Sequence, residues 1–156
     1  MSFRNDVYHT YNNMKKYLPE LVFTPLELNY RLSKIYNANI FLKREDLQLT
    51  RSFKIRGSLS KILSMSDKIK DNRIVTSSAG NHAQGVAYLS NKLKKKAEIF
   101  LPANTPQQKI NRIKYFRNPE LCNIHLRGIT FDECLEESIN YTNKTNSLYI
   151  HPYDDY

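Results

Sequence analysis

Glycine and cysteine are both scarce in this sequence of 156 residues, and tryptophan is absent. The two cysteines, Cys122 and Cys134, are too few for a disulfide scaffold or for a zinc site built on four cysteines. We therefore expect two buried free thiols in a cytoplasmic protein, and no metal site. The four glycines are Gly57, Gly80, Gly85 and Gly128.

Long apolar segments are missing as well. No run approaches the roughly 18 consecutive apolar residues that identify a transmembrane helix, and the first six residues hold no apolar stretch of the kind found in secretory signals. The sequence thus predicts no membrane association. Hydrophobic residues still make up 40% of the chain and charged residues 25%, which is typical of a folded domain rather than a disordered one.

Acidic residues are outnumbered by basic ones, 15 Asp and Glu against 24 Lys and Arg, for a net charge of +9. Such a balance suits a nucleic-acid-binding protein, since basic side chains neutralise phosphates. The sequence, however, holds no nucleic-acid-binding motif, and its aromatic residues are scattered rather than clustered. The densest basic run, residues 92–96, lies where a helix is predicted to end, a position that favours cations. We expect no nucleic-acid partner.

Apolar periodicity predicts an alternation of helices and strands. Proline ends the first helix, and the residue before Pro25 is expected to be extended. The predicted helices span residues 3–18, 27–36, 53–65, 82–93, 105–116 and 131–141. The predicted strands span residues 40–43, 73–77, 97–101, 121–126 and 148–151. Three successive strand–helix units followed by a strand indicate an α/β fold, with a parallel sheet covered by helices on both faces.

The turn after the predicted strand 73–77 is small and polar, and it opens a helix. Backbone N–H groups at a helix start favour a carboxylate or phosphate, and Gly80 permits a positive φ or a close approach by a ligand. An ordinary helix cap made by serine or asparagine would explain the same residues. Gly85 lies inside the helix at a cost of about 1 kcal/mol relative to alanine, which indicates close packing against another element or a ligand.

Lys54 is a second candidate, because it lies between apolar residues at the start of a predicted helix. A partly desolvated lysine amine is a usable nucleophile and forms a Schiff base with an aldehyde. The alternative is one surface lysine among fifteen, with its stem lying along apolar neighbours.

Two motifs make the sequence similar to the threonine dehydratases. Residues 43–48 followed by 51–57 resemble the family's pyridoxal-phosphate lysine signature, and residues 78–87 resemble its substrate-binding loop and helix. Residues 24–26, 102–109, 131–133 and 151–155 have counterparts in the same family. The resemblance covers residues from about 20 to 155, and it is specific because both motifs occur at the expected spacing.

The resemblance implies a pyridoxal 5′-phosphate enzyme of the tryptophan-synthase-β type, also called fold type II. Lys54 would be the Schiff-base lysine, Phe53 would pack beside the cofactor, and Asn81 would contact the 3′ oxygen of the cofactor ring. The substrate carboxylate would be held by Ser78, Gly80, Asn81 and His82. Residues 1–54 would belong to an incomplete large domain, and residues 55–156 would form the small α/β domain.

The implied reaction is the deamination of L-threonine, and of L-serine as a second substrate, to a 2-oxo acid and ammonia. It would serve isoleucine biosynthesis or threonine catabolism. Ala79 stands where related serine racemases have a serine that carries a proton, so the resemblance favours elimination over racemisation.

Members of the family continue well beyond 156 residues, so the resemblance implies a truncated chain. The glycine-rich loop that anchors the cofactor phosphate has no counterpart here. Other departures from the family's pattern are Arg117 and Lys94–Lys96, which stand where glycine is expected. The alternative is therefore an inactive fragment, or one half of a split enzyme. We expect a complementary C-terminal half or a homo-oligomer as partner, and self-association of uncovered apolar faces in isolation.

Overall fold

The computed structural model describes residues 3–66 and 72–153, so residues 154 and 155 of the last motif lie outside the described residues. Helices and strands alternate through most of these ranges. The helices are α1 (Phe3–Tyr17), α2 (Tyr30–Tyr36), α3 (Lys54–Ser64), α4 (Asn81–Lys92), α5 (Gln107–Phe116) and α6 (Phe131–Thr145). The strands are β1 (Leu26–Leu28), β2 (Phe41–Lys43), β3 (Arg73–Ser77), β4 (Lys96–Leu101), β5 (Cys122–Leu126) and β6 (Leu148–Tyr149).

The main sheet is parallel and has the strand order β5-β4-β3-β6. Its register is fixed around β3, where Ile74 pairs with Ala97 of β4 on one side and with Leu148 of β6 on the other. The chain runs outward from β3 through β4 to β5, and α6 then carries it back to the opposite side of β3. The direction of winding thus reverses between β3 and β6.

Helices cover both faces of this sheet, because side chains alternate along each strand. Ile74 and Ile99 point into the larger core, to which α3, α4 and α5 contribute. Val75 and Phe100 point the other way and pack with Cys134 of α6. The predicted α/β class, with a parallel sheet covered on both faces, is confirmed.

The first helix and first strand after Pro25 differ from the prediction. Residues 26–28 form β1, which pairs antiparallel with β2, so the helix predicted over residues 27–36 begins only at Tyr30. Asn29 caps it by accepting a hydrogen bond from the Leu32 amide at 2.9 Å. Its expected apolar face is not buried, and Ile35 is 61% exposed. Strand pairing has overridden the helical pattern here.

Asparagine and lysine replace glycine at three helix ends. Asn37 and Asn146 directly follow α2 and α6, and Lys94 lies two residues after the end of α4. All three adopt left-handed conformations, with φ of 47° at Asn37, 49° at Asn146 and 53° at Lys94. The amide of the next residue then bonds back five residues, as from Lys95 to the Ser90 carbonyl at 2.9 Å. These closures usually carry glycine, and asparagine is the next most tolerant residue. Lys94 is therefore the strained member of the three.

Both cysteines are buried free thiols, as predicted. Burial raises the pKa of Cys122 and of Cys134 to about 11, so both side chains stay protonated at neutral pH.

Helix α3 packs directly on α4, and Gly85 marks the closest approach. A Cβ added at Gly85 would lie 3.5 Å from the backbone of Ile55, which accounts for the glycine inside this helix. Met14 and Leu18 of the N-terminal region share the larger core with Ile55. The proposed domain boundary at residues 54/55 remains a prediction. Among the described residues, no helix has both the length and the apolar character that crossing a membrane requires.

Replacing Lys94 by glycine should stabilise the fold, because glycine adopts the left-handed conformation without the clash that a Cβ causes. We expect the free energy of unfolding to rise by about 1 kcal/mol, measured by urea denaturation. The matched control is Lys95→Gly, since Lys95 has no positive φ and should gain nothing. An equal gain in both variants would contradict this explanation.

Candidate active site

A cavity of about 450 Å³ opens beside the carboxyl ends of β3 and β6. These neighbouring strands flank the point where the winding reverses, and open α/β sheets bind ligands in that crevice. Helix α3 and the segment after β6 supply most of the walls. The lining residues are Phe53, Lys54, Gly57, Ser58, Ser60, Lys61, Ser64, His82, Ile150, His151, Pro152 and Tyr153.

Lys54 is the first residue of α3 and reaches into this cavity. Its Nζ donates a hydrogen bond to the Pro152 carbonyl at 2.5 Å. The same atom lies 5.4 Å from the ring centroid of Phe53 and 5.0 Å from that of Tyr153. Two aromatic rings and a carbonyl thus surround the amine, an arrangement that attracts a cation. The amine is partly shielded from solvent rather than lying along the surface.

His82 connects α3 to the segment after β6. Its Nδ1 lies 3.3 Å from the Ser58 hydroxyl, and its Nε2 lies 3.2 Å from the Ile150 carbonyl. Both Ser58 and His82 are almost fully buried, at 2% and 5% exposed. The Ile150 carbonyl also accepts a hydrogen bond from the Thr76 hydroxyl. Hydrogen bonds therefore join α3 to α4, and join both β3 and α4 to the residue that follows β6.

The loop between β3 and α4, together with the first residue of α4, contains the other predicted binding residues. The Ser78 hydroxyl accepts a hydrogen bond from the Gly80 amide at 3.3 Å. Gly80 has an extended backbone with φ −121°. The positive φ that the sequence analysis allowed at Gly80 is therefore wrong. No side chain caps α4, which also removes the alternative of a serine or asparagine cap. A Cβ added at Gly80 would meet nothing within 4 Å, so the backbone there is open to a ligand.

The structure brings together three of the six predicted site residues. Phe53, Lys54 and His82 line the cavity, whereas Ser78 and Gly80 lie in the loop before α4 and Asn81 is the first residue of that helix. The Asn81 side chain is exposed, and its Oδ1 accepts a weak hydrogen bond from Gln84 at 3.5 Å.

Sequence reasoning missed Ser58 and the backbone carbonyls of Ile150 and Pro152. Ser58 had a usable signal, because a residue four positions after Lys54 lies on the same helix face. No sequence signal points to the two carbonyls, because their positions beside Lys54 and His82 depend on the pairing of β6 with β3.

An ion pair holds the beginning of α3 in place. Arg56 donates to both oxygens of Glu45 at 2.9 Å, and the Thr24 hydroxyl donates to the same carboxylate at 2.6 Å. Arg56 and Gln48 also donate to the Val22 carbonyl. These bonds tie the segment before β1 to the helix that carries the lysine.

The ion pair changes the acidity of Glu45. Hydrogen bonds from Arg56 lower the pKa of its carboxyl to about 2, and they outweigh burial, which acts in the opposite direction. The folded chain therefore favours the ionised carboxylate. This stabilisation is complete at neutral pH and is lost as the pH falls from about 5 towards 2.

A family model described as pyridoxal-phosphate dependent enzyme matches residues 18–156 of the chain. Among curated proteins, the biosynthetic L-threonine dehydratase IlvA of Staphylococcus epidermidis is 45% identical over 150 residues. That alignment covers 96% of this chain and 35% of the relative. The enzyme of the same name from Staphylococcus aureus is 47% identical over 132 residues, with 85% and 31% covered.

Solved structures agree with these matches. The processed form of threonine deaminase isoform 2 from Solanum lycopersicum superposes with a TM-score of 0.78 at 33% identity. The superposition covers 99% of this chain and 42% of that one. The fold is thus that of fold type II enzymes, as predicted. The chain spans about a third of the length of the curated relatives that it matches.

Replacing Glu45 by glutamine should destabilise the chain by about 2 kcal/mol at pH 7, because Arg56 loses its charged partner. The difference from the wild type should shrink as the pH is lowered from about 5 towards 2, where Glu45 of the wild type becomes protonated. Urea denaturation across this pH range measures both effects.

Asp46→Asn is the matched control, since Asp46 is adjacent in sequence but pairs with Arg44 in solvent and should matter little. A difference between wild type and Glu45→Gln that does not vary with pH would contradict the role of the ion pair.

Proposed function

Because the chain belongs to the family of pyridoxal-phosphate dependent enzymes, we propose that it carries the lysine and substrate-binding part of an L-threonine dehydratase. The reaction is deamination of L-threonine, with L-serine as a second substrate, to a 2-oxo acid and ammonia. The observation that carries the proposal is Lys54, which reaches into a cavity of about 450 Å³ at the sheet's reversal point. We propose that this reaction serves isoleucine biosynthesis; the names of the relatives describe those enzymes as biosynthetic.

The residues around the cavity fit the aldehyde and the ring of pyridoxal phosphate. Lys54 supplies a primary amine, and Phe53 supplies an aromatic side chain beside it. A Cβ at Gly57 or at Gly80 would meet nothing within 4 Å, so both positions leave room for a bound group. The start of α4 lacks a side-chain cap, which suits the carboxylate of an amino acid. Ser78, Gly80, Asn81 and His82 are proposed to hold that carboxylate.

Lys54 is proposed to act in both binding and proton transfer. Pyridoxal phosphate supplies an aldehyde for the lysine amine and an electron sink for the substrate's α carbon. The amine of Lys54 then takes the α proton of the substrate and passes it on to the departing hydroxyl. Asn81 would hold the cofactor ring in place through its 3′ oxygen. Ala79 stands where the resemblance places a proton-carrying serine in serine racemases, and its methyl group cannot return a proton to the substrate.

Lys54→Ala tests the site directly. The wild-type chain mixed with pyridoxal phosphate should develop the longer-wavelength absorption band of a lysine adduct, and borohydride should fix that adduct on the peptide containing Lys54. The variant should lose both signals, because Lys61, the other lysine among the described lining residues, lies two helical turns further along α3. Lys61→Ala, which alters another lysine of the same cavity, is the control and should keep both. An adduct that persists in Lys54→Ala would remove Lys54 from this role.

The partner proposed for this chain is a polypeptide that supplies the other two thirds of the relatives' length, with a homo-oligomer as the alternative. Large apolar side chains are exposed on residues 22–53, among them Phe23, Tyr30 and Tyr36 at 73%, 80% and 67%. Exposed apolar surface of this kind marks an interaction site. The sequence contains no glycine-rich run to anchor the cofactor phosphate, and we propose that the same polypeptide supplies one.

Mixing the chain with the remaining part of the Staphylococcus epidermidis enzyme should produce threonine deamination that neither polypeptide shows alone. Release of the 2-oxo acid measures it, and size-exclusion chromatography detects the complex. A mixture containing the Lys54→Ala chain should form the complex but stay inactive. A monodisperse monomer that ignores the second polypeptide would contradict this partner and leave an inactive chain as the better explanation.

A further inference from the structure

We propose that residues 151–153, called the strap below, hold the amine of Lys54 and restrict its reaction with an aldehyde until they move aside. The inference rests on the proposed function, in which this amine reacts with the aldehyde of pyridoxal phosphate. Pro152 and Tyr153 supply the contacts, and both residues line the same cavity as Lys54. The strap would regulate access to the site through contacts alone, with no covalent bond made or broken.

Three groups surround the lysine amine. The Pro152 carbonyl accepts a hydrogen bond from its Nζ at 2.5 Å. The ring centroid of Tyr153 lies 5.0 Å from the same atom, and that of Phe53 lies 5.4 Å away. An ammonium group within about 6 Å of an aromatic ring is attracted to the face of that ring. The strap therefore supplies two of the three contacts that hold the amine of Lys54.

These contacts compete with any reagent that bonds to the same nitrogen. Attack on an aldehyde requires a nitrogen that is free to turn towards the carbonyl carbon. The hydrogen bond to Pro152 fixes the direction of the Lys54 amine, and the ring of Tyr153 covers one approach to it. An aldehyde then reaches the nitrogen only in the fraction of molecules whose strap has separated from Lys54. The apparent reactivity of the amine is reduced by that fraction.

Contacts within and around the strap keep the Tyr153 ring over the amine. The residue before the strap, Ile150, donates its amide hydrogen to the Val75 carbonyl at 2.8 Å. The Tyr153 amide donates to Nδ1 of His151 at 3.1 Å, which closes a tight turn. The Tyr153 ring also meets the rings of His151 and Phe131 edge-on, at centroid distances of 6.2 and 6.3 Å. The strap is thus ordered by its own turn and by the start of α6.

The strap can separate from Lys54 while the sheet stays intact. Tyr153 is 77% exposed, so moving its ring into solvent uncovers little buried apolar surface. Ile150, by contrast, is 1% exposed and belongs to the larger core. The boundary between fixed and movable backbone therefore lies just after Ile150. Local openings of this kind cost less free energy than unfolding of the domain.

Reductive methylation with formaldehyde and borohydride measures how often the amine is accessible. The rate of labelling at Lys54, measured by mass spectrometry, is divided by the rate at Lys43. Lys43 is a matched reference, because its Nζ also donates to a carbonyl, that of Thr24, at 2.5 Å and lies 4.6 Å from the ring centroid of Phe23. Tyr153→Leu should raise this ratio about fivefold, because one cation–π contact with Lys54 is lost.

Two variants and a second measurement separate the strap from a general loosening of the chain. Tyr153→Phe keeps an aromatic ring and should leave the ratio within about twofold of the wild type. Tyr115→Leu removes a similarly exposed tyrosine from α5, outside this cavity, and should also leave the ratio within about twofold. Hydrogen exchange at the Ile150 amide should be equally slow in the wild type and in Tyr153→Leu, because β6 stays paired with β3.

An unchanged ratio in Tyr153→Leu would overturn the proposal, and so would an equal rise in Tyr153→Phe. A raised ratio accompanied by faster exchange at the Ile150 amide would overturn it as well, because the whole end of the sheet would then have opened. Folding of these variants is expected, since the substituted side chain is largely exposed.

The proposed function and the strap fail differently in these experiments. With pyridoxal phosphate in place of formaldehyde, the wild type and Tyr153→Leu should both form the adduct at Lys54, and the variant should form it faster. No adduct in either chain, together with the fivefold effect in methylation, would reject the cofactor role of Lys54 and keep the strap. An adduct in both chains with no effect in methylation would reject the strap and keep the proposed function.

Discussion

The bidentate ion pair between Glu45 and Arg56 fixes where α3 begins, and the arrangement of the cavity depends on that point. Arg56 lies two residues after Lys54, so the guanidinium and the lysine amine leave the same first turn of the helix on different sides. Only 17% of the surface of the Glu45 side chain is exposed to solvent. In such a place a charge costs free energy unless it is paired. The pairing therefore holds the helix start in one position.

The sheet supplies the second constraint. Because α6 returns the chain to the far side of β3, the carboxyl ends of β3 and β6 become neighbours. One of them leads into the loop with Ser78 and Gly80, and the other into Ile150 and Pro152. Helix α3 closes the third side through its contact with α4 at Gly85. A ligand in this crevice would meet side chains from three separate parts of the sequence.

Much of the fold could be predicted from the sequence, because the elements that were predicted correctly carry their signals within their own residues. β3 agrees with its prediction over residues 73–77, and α4 and β4 agree to within one residue, because each carries its own apolar period and turn. The helix predicted from residue 27 failed at its start, since β1 exists only by pairing with β2 thirteen and more residues later. The extended Gly80 was likewise not decided by its residue type, which permits either sign of φ.

The site residues also divide into those that a local sequence pattern predicts and those whose contacts depend on the fold. Lys54 with its neighbour Phe53, and residues 78–82, carry sequence patterns that resemble a known family. The contacts of Lys54 with Pro152 and of His82 with Ile150 depend on strand order, which local patterns do not encode. Ser58 lies between these cases, because its spacing from Lys54 is visible in the sequence but its bond to His82 requires α3 and α4 to be packed.

The segment after β6 also has a consequence for the lifetime of the assembled site. β6 contains only two residues, yet the carbonyls that follow it hold His82 and Lys54. Short strands at the end of a sheet open more readily than the whole domain unfolds, and such openings appear in hydrogen exchange. When β6 separates from β3, both side chains lose their carbonyl partners in the same event. The two carbonyl contacts of the cavity are therefore coupled to each other through the pairing of β6 with β3.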